Sequence, residues 1–317
     1  MKFCYTAFLL IFLFSCSPKD TFVAPAIPAP EGVSIVVLGN VQDAGSPHIG
    51  CKKDCCRDLF DHPDATRMVT CLGLVDASTN QKFLFEASPD ISRQLKKLKA
   101  YSQTEEEMAD GIFLTHAHIG HYTGLMYLGK EATNADQVPV YAMPRMRDYL
   151  SENGPWSQLV STKNIKMLPL TADSTFQLTA SIRITPFRVP HRDEYSETVG
   201  YRIDGPNKSA LFIPDIDKWE RWGRSIEEEI RSVDYAFLDA TFYDAAELNT
   251  RDISLIPHPF VSESMERFSK LPGEERAKIQ FIHFNHTNQL LKKESAGYLS
   301  VEKEGYGIAD FGEIFDL

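Results

Sequence analysis

Three histidines fall within six residues, at His116, His118 and His121 of Thr115-His116-Ala117-His118-Ile119-Gly120-His121, directly behind the apolar run Ile112-Phe113-Leu114-Thr115. Imidazole is the commonest nitrogen ligand for zinc or iron, and a turn leaving a strand can aim positions i, i+2 and i+5 at one point where a helix cannot. The same placement recurs along the chain. His191 follows Val189-Pro190, Asp215 follows Phe212-Ile213-Pro214, and His283 and His286 follow an apolar run at 279–282. A chain that sets metal-binding side chains behind several separate strands must fold so that those strand ends meet.

Short apolar strands alternate with helical stretches from one end to the other. Hydrophobic period predicts strands at 33–38, 71–75, 82–86, 112–115, 138–142, 165–170, 176–179, 182–189, 199–203, 210–213, 235–238 and 279–282, and helices at 91–98, 145–152 and 261–271. No repeat and no internal linker interrupts them. Helices spread through both halves of a strand-rich chain fit a two-sheet sandwich covered by helices better than a purely parallel, doubly wound sheet. Trp219 and Trp222, three apart, read as a packing stripe on a helix.

The ordered series of histidines and aspartate resembles the metallo-β-lactamase superfamily, whose signature is H-x-H-x-D-H after a strand, followed by a distant His, an Asp and a last His. The resemblance implies an α/β fold of four layers, αββα, as a single domain over 31–317. It assigns His116, His118 and His191 to a first metal site and His121, Asp215 and His286 to a second, with Asp215 bridging. Gly39-Asn40-Val41-Gln42-Asp43-Ala44-Gly45-Ser46-Pro47 near a cysteine cluster, Glu86-Ala87-Ser88-Pro89-Asp90, Leu238-Asp239-Ala240-Thr241-Phe242 and Asn285-His286-Thr287-Asn288 are similar to landmarks of pyrroloquinoline quinone biosynthesis protein B, from about residue 34 onward. Two departures stand out. Gly120 occupies the place of the superfamily's Asp, which implies a mononuclear centre or a weakly held second ion. The quinone-biosynthesis proteins often lack several of the histidines this chain carries, which favours a retained hydrolase centre.

Three neutral imidazoles leave most of a metal's charge uncompensated, which lowers the pKa of a bound water toward about 7 and supplies hydroxide at neutral pH. Asp193, two residues beyond His191, is the candidate to accept a proton or hold a ligand in its tautomer, and Asp239, at a strand end, reads equally as a carboxylate supporting a ligand from behind or as the cap of a turn. His283 would alternate away from the site if its strand continued. His48 and His62 read as surface or satisfied core residues.

Lys2 precedes an apolar run at 3–15 that is too short to cross roughly 30 Å of hydrocarbon and suits the core of an export signal. It ends Leu13-Phe14-Ser15-Cys16, which resembles a lipobox, so residues 1–15 are expected to be a lipoprotein signal peptide, Cys16 the lipidated first residue, and the proline-bearing stretch 16–30 a tether. The expectation is an exported bacterial lipoprotein, membrane-anchored and facing the periplasm or the cell surface. Export also argues against quinone assembly, which the resemblance places in the cytoplasm. Outside the signal, Cys51, Cys55 and Cys56 crowd into six residues, with Cys71 further on. That density suits one tetrahedral structural zinc better than disulfides or free thiols, with a fourth ligand from His258 or Cys71.

With 33 Lys and Arg against 44 Asp and Glu the formal charge is −11, and no basic run is long enough to track a phosphate backbone, so no stable nucleic-acid partner is expected. The reading that follows is a metal-dependent hydrolase acting on an ester, phosphodiester or related bond of a small or nucleotide-like substrate. It would use one or two zinc ions, with iron or manganese as other occupants. An iron-dependent oxidoreductase and a non-catalytic metal-binding lipoprotein are the alternatives.

Overall fold

The computed structural model describes residues 1, 30–248 and 256–317; the expected signal, Cys16 and the tether up to residue 29 lie outside them. The first half of the chain builds β1 (Val33–Gly39), β2 (Cys71–Asp76), β3 (Gln81–Phe85), β4 (Gly111–Phe113), β5 (Val138–Ala142) and β6 (Ile165–Pro169). The second half builds β7 (Phe176–Gln177), β8 (Arg183–Arg188), β9 (Val199–Asp204), β10 (Ser209–Ile213), β11 (Tyr235–Asp239), β12 (Ile279–Ile282) and β13 (Gly307–Ile308). A final strand, β14 (Ile314–Asp316), returns to pair with β1.

The result is two seven-stranded sheets, ordered β14-β1-β2-β3-β4-β5-β6 and β13-β12-β11-β10-β9-β8-β7. Each is half antiparallel and half parallel: β3 through β6 run parallel in one, β10 through β13 in the other. Parallel strands need long crossovers, which here carry helices such as Ile91–Tyr101 and Val261–Phe268 onto the outer faces.

Alternation along the strands sorts side chains into three layers. Leu72, Leu74, Phe83 and Phe85 from the first sheet meet Tyr201, Ala210, Phe212 and Phe237 from the second in a core between the sheets. Leu84 and Ile112 point outward to pack under Ile91, Leu95 and Leu98 of the first helix, and Leu211, Leu238 and Phe281 pack under Val261, Met265 and Phe268 of the second. Strands buried on both faces read as continuous apolar runs, which is why they stand out in the sequence. The four-layer αββα sandwich is therefore present as one domain. Trp219 opens a single 3-10 turn, Trp219–Arg221, and Trp222 is the extended residue after it, so the two do not share a longer helix; both pack into the outer core of the second sheet.

Candidate metal centre

The parallel strands of both sheets end along one edge of the sandwich, and the donors sit on the turns that leave them. Behind β4, His116 Nε2 and His118 Nδ1 stand 2.8 Å apart. His191, behind β8, brings Nε2 to 3.3 Å from His118 Nδ1, and Asp215, behind β10, brings Oδ2 to 3.4 Å from His116 and 3.3 Å from His191. Four ligands each ~2.0–2.1 Å from a tetrahedral zinc stand about 3.3 Å from one another, so the set has the span an ion requires.

A second set shares Asp215. His121 Nε2 is 3.7 Å from Asp215 Oδ2 and 3.0 Å from Asp43 Oδ1, and His283 Nε2 is 3.3 Å from the same Asp43 oxygen. Asp43 comes from the loop after β1 and supplies the carboxylate that Gly120 lacks. A Cβ at residue 120 would lie 2.4 Å from Asp43 Oδ1 and 2.6 Å from its Cα, so the glycine is what lets Asp43 in. One buried ligand atom of this centre, His121 Nε2, has no well-aligned hydrogen-bond partner, as expected of a group built to face a cation rather than a protein dipole.

His286, assigned to the second site by the sequence pattern, is not there; His283 is. The alternation argument against His283 fails because β12 stops at Ile282 and His283 itself takes φ 71°, which turns its ring back into the site. His286 instead meets the cysteines. Its ring nitrogen and the Sγ atoms of Cys51, Cys55 and Cys56 lie within 4.8 Å of one another. The sulfurs of Cys51 and Cys55 are 3.7 Å apart and those of Cys55 and Cys56 3.9 Å, close to the ~3.8 Å expected for thiolates ~2.3 Å from one tetrahedral zinc. All are unbonded thiols, and His286 Nδ1 is a further buried atom without a partner. Burial, with His48 and Lys53 nearby, pushes the His286 pKa down to about 4, leaving the ring neutral and ready to bind.

His258 and Cys71 were the expected fourth ligands of the cysteines, and neither is. Cys71 is buried in β2 with its thiol on the carbonyls of Leu72 and Glu86. His258 lies beside the histidine–aspartate sets, its Nδ1 2.9 Å from Asp239 Oδ2 and 3.1 Å from Asp215 Oδ1. Burial alone would lower its pKa, but the Asp239 and Asp215 carboxylates raise it well above the ordinary imidazole value. Asp193, expected to serve at the metal, is exposed and accepts a hydrogen bond from Thr198 Oγ1 at 2.8 Å; its neighbour Glu194 is the one that reaches His118, at 3.4 Å.

The imidazoles are held from behind in two matching ways. His116 Nδ1 donates to Thr115 Oγ1 (2.9 Å), whose hydroxyl donates to the fully buried Glu86 (2.6 Å), and Glu86 also accepts from His121 Nδ1 at 3.0 Å. In the other sheet, His283 Nδ1 donates to Thr241 Oγ1 (2.9 Å), whose hydroxyl donates to the fully buried Asp239 (2.6 Å). His191 Nδ1 rests on Asp217 at 3.3 Å. Each of these contacts fixes a tautomer with Nε2 free to bind. Burial works against a charged His121, but Glu86 and Asp43 hold its pKa well above normal, so a cation arriving there displaces a proton.

Comparison with known proteins agrees with this architecture. Residues 81–284 match the family described as Beta-lactamase superfamily domain. Coenzyme PQQ synthesis protein B of Methylorubrum extorquens (strain PA1) is 22% identical over 305 residues, covering 89% of this chain and 99% of that protein. The solved structure of zinc-bound PqqB from Methylobacterium extorquens superposes with a TM-score of 0.74 at 22% identity, covering 90% of this chain and 100% of that one. A diphosphatase of the PhnP family gives a TM-score of 0.60 at 20% identity, covering 89% and 96%.

Proposed function

The chain belongs to the beta-lactamase superfamily, and from that premise and its two donor sets we propose that it is a zinc-dependent hydrolase of phosphoric esters, with the phosphodiester as its preferred bond. The observation that carries this reading is Asp215, whose Oδ2 lies within 3.4 Å of His116 and His191 and 3.7 Å from His121, so that one oxygen joins both sets. His116, His118, His191 and Asp215 would hold one ion, and Asp43, His121, His283 and Asp215 the other. Paired zinc ions supply hydroxide near neutral pH and Lewis acidity for a phosphoryl oxygen and its leaving group.

The chain's own residues supply the rest. Glu86 and Asp239, through Thr115 and Thr241, keep the imidazoles oriented with no reorganisation when the reaction occurs. His258, kept protonated by Asp239, is the group that gives a proton to the departing oxygen. Cys51, Cys55, Cys56 and His286 would hold a third, structural zinc. We place the protein outside the cytoplasmic membrane, held by lipid on Cys16; among the described residues no helix is long and apolar enough to cross a membrane.

The test is elemental analysis joined to assays on bis(p-nitrophenyl) phosphate and p-nitrophenyl acetate. Three zinc ions per chain are expected, with diesterase activity lost in His116→Ala and in Asp215→Asn, and with the basic limb of the pH profile moved in His258→Asn. Iron in place of zinc with oxygen consumed on turnover, or wild-type protein inert toward both substrates, would overturn the reading. The anchor is tested apart from this, by palmitate incorporation, expected in the wild type and absent from Cys16→Ala.

A further inference from the structure

Two loops bring donors to both metal clusters at once. The loop between β1 and the short helix Asp54–Arg57 places Asp43 with His121 and His283 and Cys51 with His286, and the helix that ends it adds Cys55 and Cys56 to the second group. The loop after β12 places His283 in the first of these groups and His286 in the second. At their bases the loops are tied by Gln42 N to Phe284 O (2.8 Å) and Phe284 N to Asn40 O (2.7 Å). Beyond that tie the first loop turns at Gly45, φ +76°, is linked through Arg67, which donates to Ser46 Oγ at 3.0 Å and to Leu291 O at 3.2 Å, and meets the second loop again at the thiolate cluster, where the His48 ring lies 4.4 Å from that of His286 and His48 N donates to Cys56 Sγ at 3.3 Å. The set formed by His116, His118, His191 and Asp215 draws on neither loop.

We propose that the thiolate cluster positions the second hydrolytic site: an ion closing Cys51, Cys55 and Cys56 onto His286 fixes one loop against the other and thereby holds Asp43 and His283 at the spacing a second ion needs. This rests on the reading that Asp43, His121, His283 and Asp215 bind metal. Asp43 stands between the backbone tie at 40–42 and the cysteines, so without the thiolate ion the stretch beyond it is held to the second loop by the Arg67 side chain and the His48 contacts alone and keeps more of a loop's freedom. Ordering the loop costs conformational entropy, and an ion that has already met this cost lets the next bind more tightly. Such coupling is reciprocal, so each ion raises the affinity of the other by one common factor. Cys51, Cys55, Cys56 and His286 are thus positioning residues for a site they do not touch.

The experiment is a cobalt titration of the metal-free full chain, in which sulfur-to-metal charge-transfer absorption reports the thiolate cluster and weaker ligand-field bands report the imidazole sets. Wild type, Cys51→Ser/Cys55→Ser and His286→Asn are compared by competition with a chelator. Loss of the thiolate ion is expected to weaken the second set by about tenfold or more while the first set changes less than about threefold, which also certifies the fold of each variant. In the reverse direction, Asp43→Asn with every cysteine intact is expected to weaken the charge-transfer site by a comparable factor. Second-set affinity unchanged in both thiolate-site variants, with three ions bound by wild type, overturns this inference alone. Wild type that binds no ion at the second set overturns the two-ion reading and this inference with it.

Discussion

A side chain at position 120 and the carboxylate of Asp43 compete for one volume, because a Cβ there would stand 2.6 Å from the Asp43 Cα. Gly120→Ala is therefore expected to expel Asp43 and release about one ion per chain. Asp43→Gly/Gly120→Asp, which moves the carboxylate to the other side of the same space, is expected to recover it; elemental analysis of the three proteins decides, and a single variant that keeps its full complement sinks the assignment. Glu86 is the second sensitive residue, since it orients His121 directly and His116 through Thr115. Glu86→Gln should lower zinc affinity by about 10–100-fold in chelator competition, and affinity unchanged within twofold would rule that role out. These residues mark where sequence reading stops. His116, His118 and His121 are legible because one turn holds all three. Asp43 is not, because it arrives from a distant loop into a gap that the pattern records only as a missing letter. His283 takes the place expected of His286 for a related reason: a strand's last residue and the φ of 71° that follows it are not visible in composition.

At the scale of elements, the inner strands are the most legible, since β5 and β12 fall where hydrophobic period puts them and β1, β2, β10 and β11 within a residue or so at either end, while β4, which leads into the histidine turn, ends two residues early. The edge strands β13 and β14 are two and three residues long, too short to show a period, and were not seen. The ties between elements are equally silent in sequence. Asp76, at the end of β2 in one sheet, accepts hydrogen bonds from Ser78 Oγ and from Thr179 Oγ1, just past β7 in the other, each at 2.6 Å. Burial would raise its pKa, but these bonds hold it below the ordinary carboxylate value. A carboxyl depressed in the folded state contributes stability that is present above its unfolded pKa of about 3.9 and is lost as pH falls through the folded value. Asp76→Asn should thus cost roughly 1–3 kcal/mol at neutral pH and flatten the acid limb below about pH 4, read by urea unfolding at several pH values. An acid limb as steep as that of wild type would show that the tie does not form.

Over the whole molecule, the two sheets share one interior and should not come apart separately. Phe113 shows why: it stacks on Phe85 at 4.7 Å and Tyr141 at 4.4 Å within its own sheet, and meets Tyr201 of the other edge-on at 5.7 Å. Phe113→Ala is expected to cost about 3–5 kcal/mol and to lower both sheets together in one transition of the metal-free protein, with fluorescence and circular dichroism coinciding. Two separated transitions would mean that the halves are independent domains. The dispersal of the donors has a further consequence, for the order of events during synthesis. The first histidine–aspartate set is complete in the nascent chain once Asp215 has been made, whereas the other two clusters wait for His283 and His286. A ribosome must therefore finish nearly the entire polypeptide before either can form, and their metal uptake belongs to the last stage of maturation.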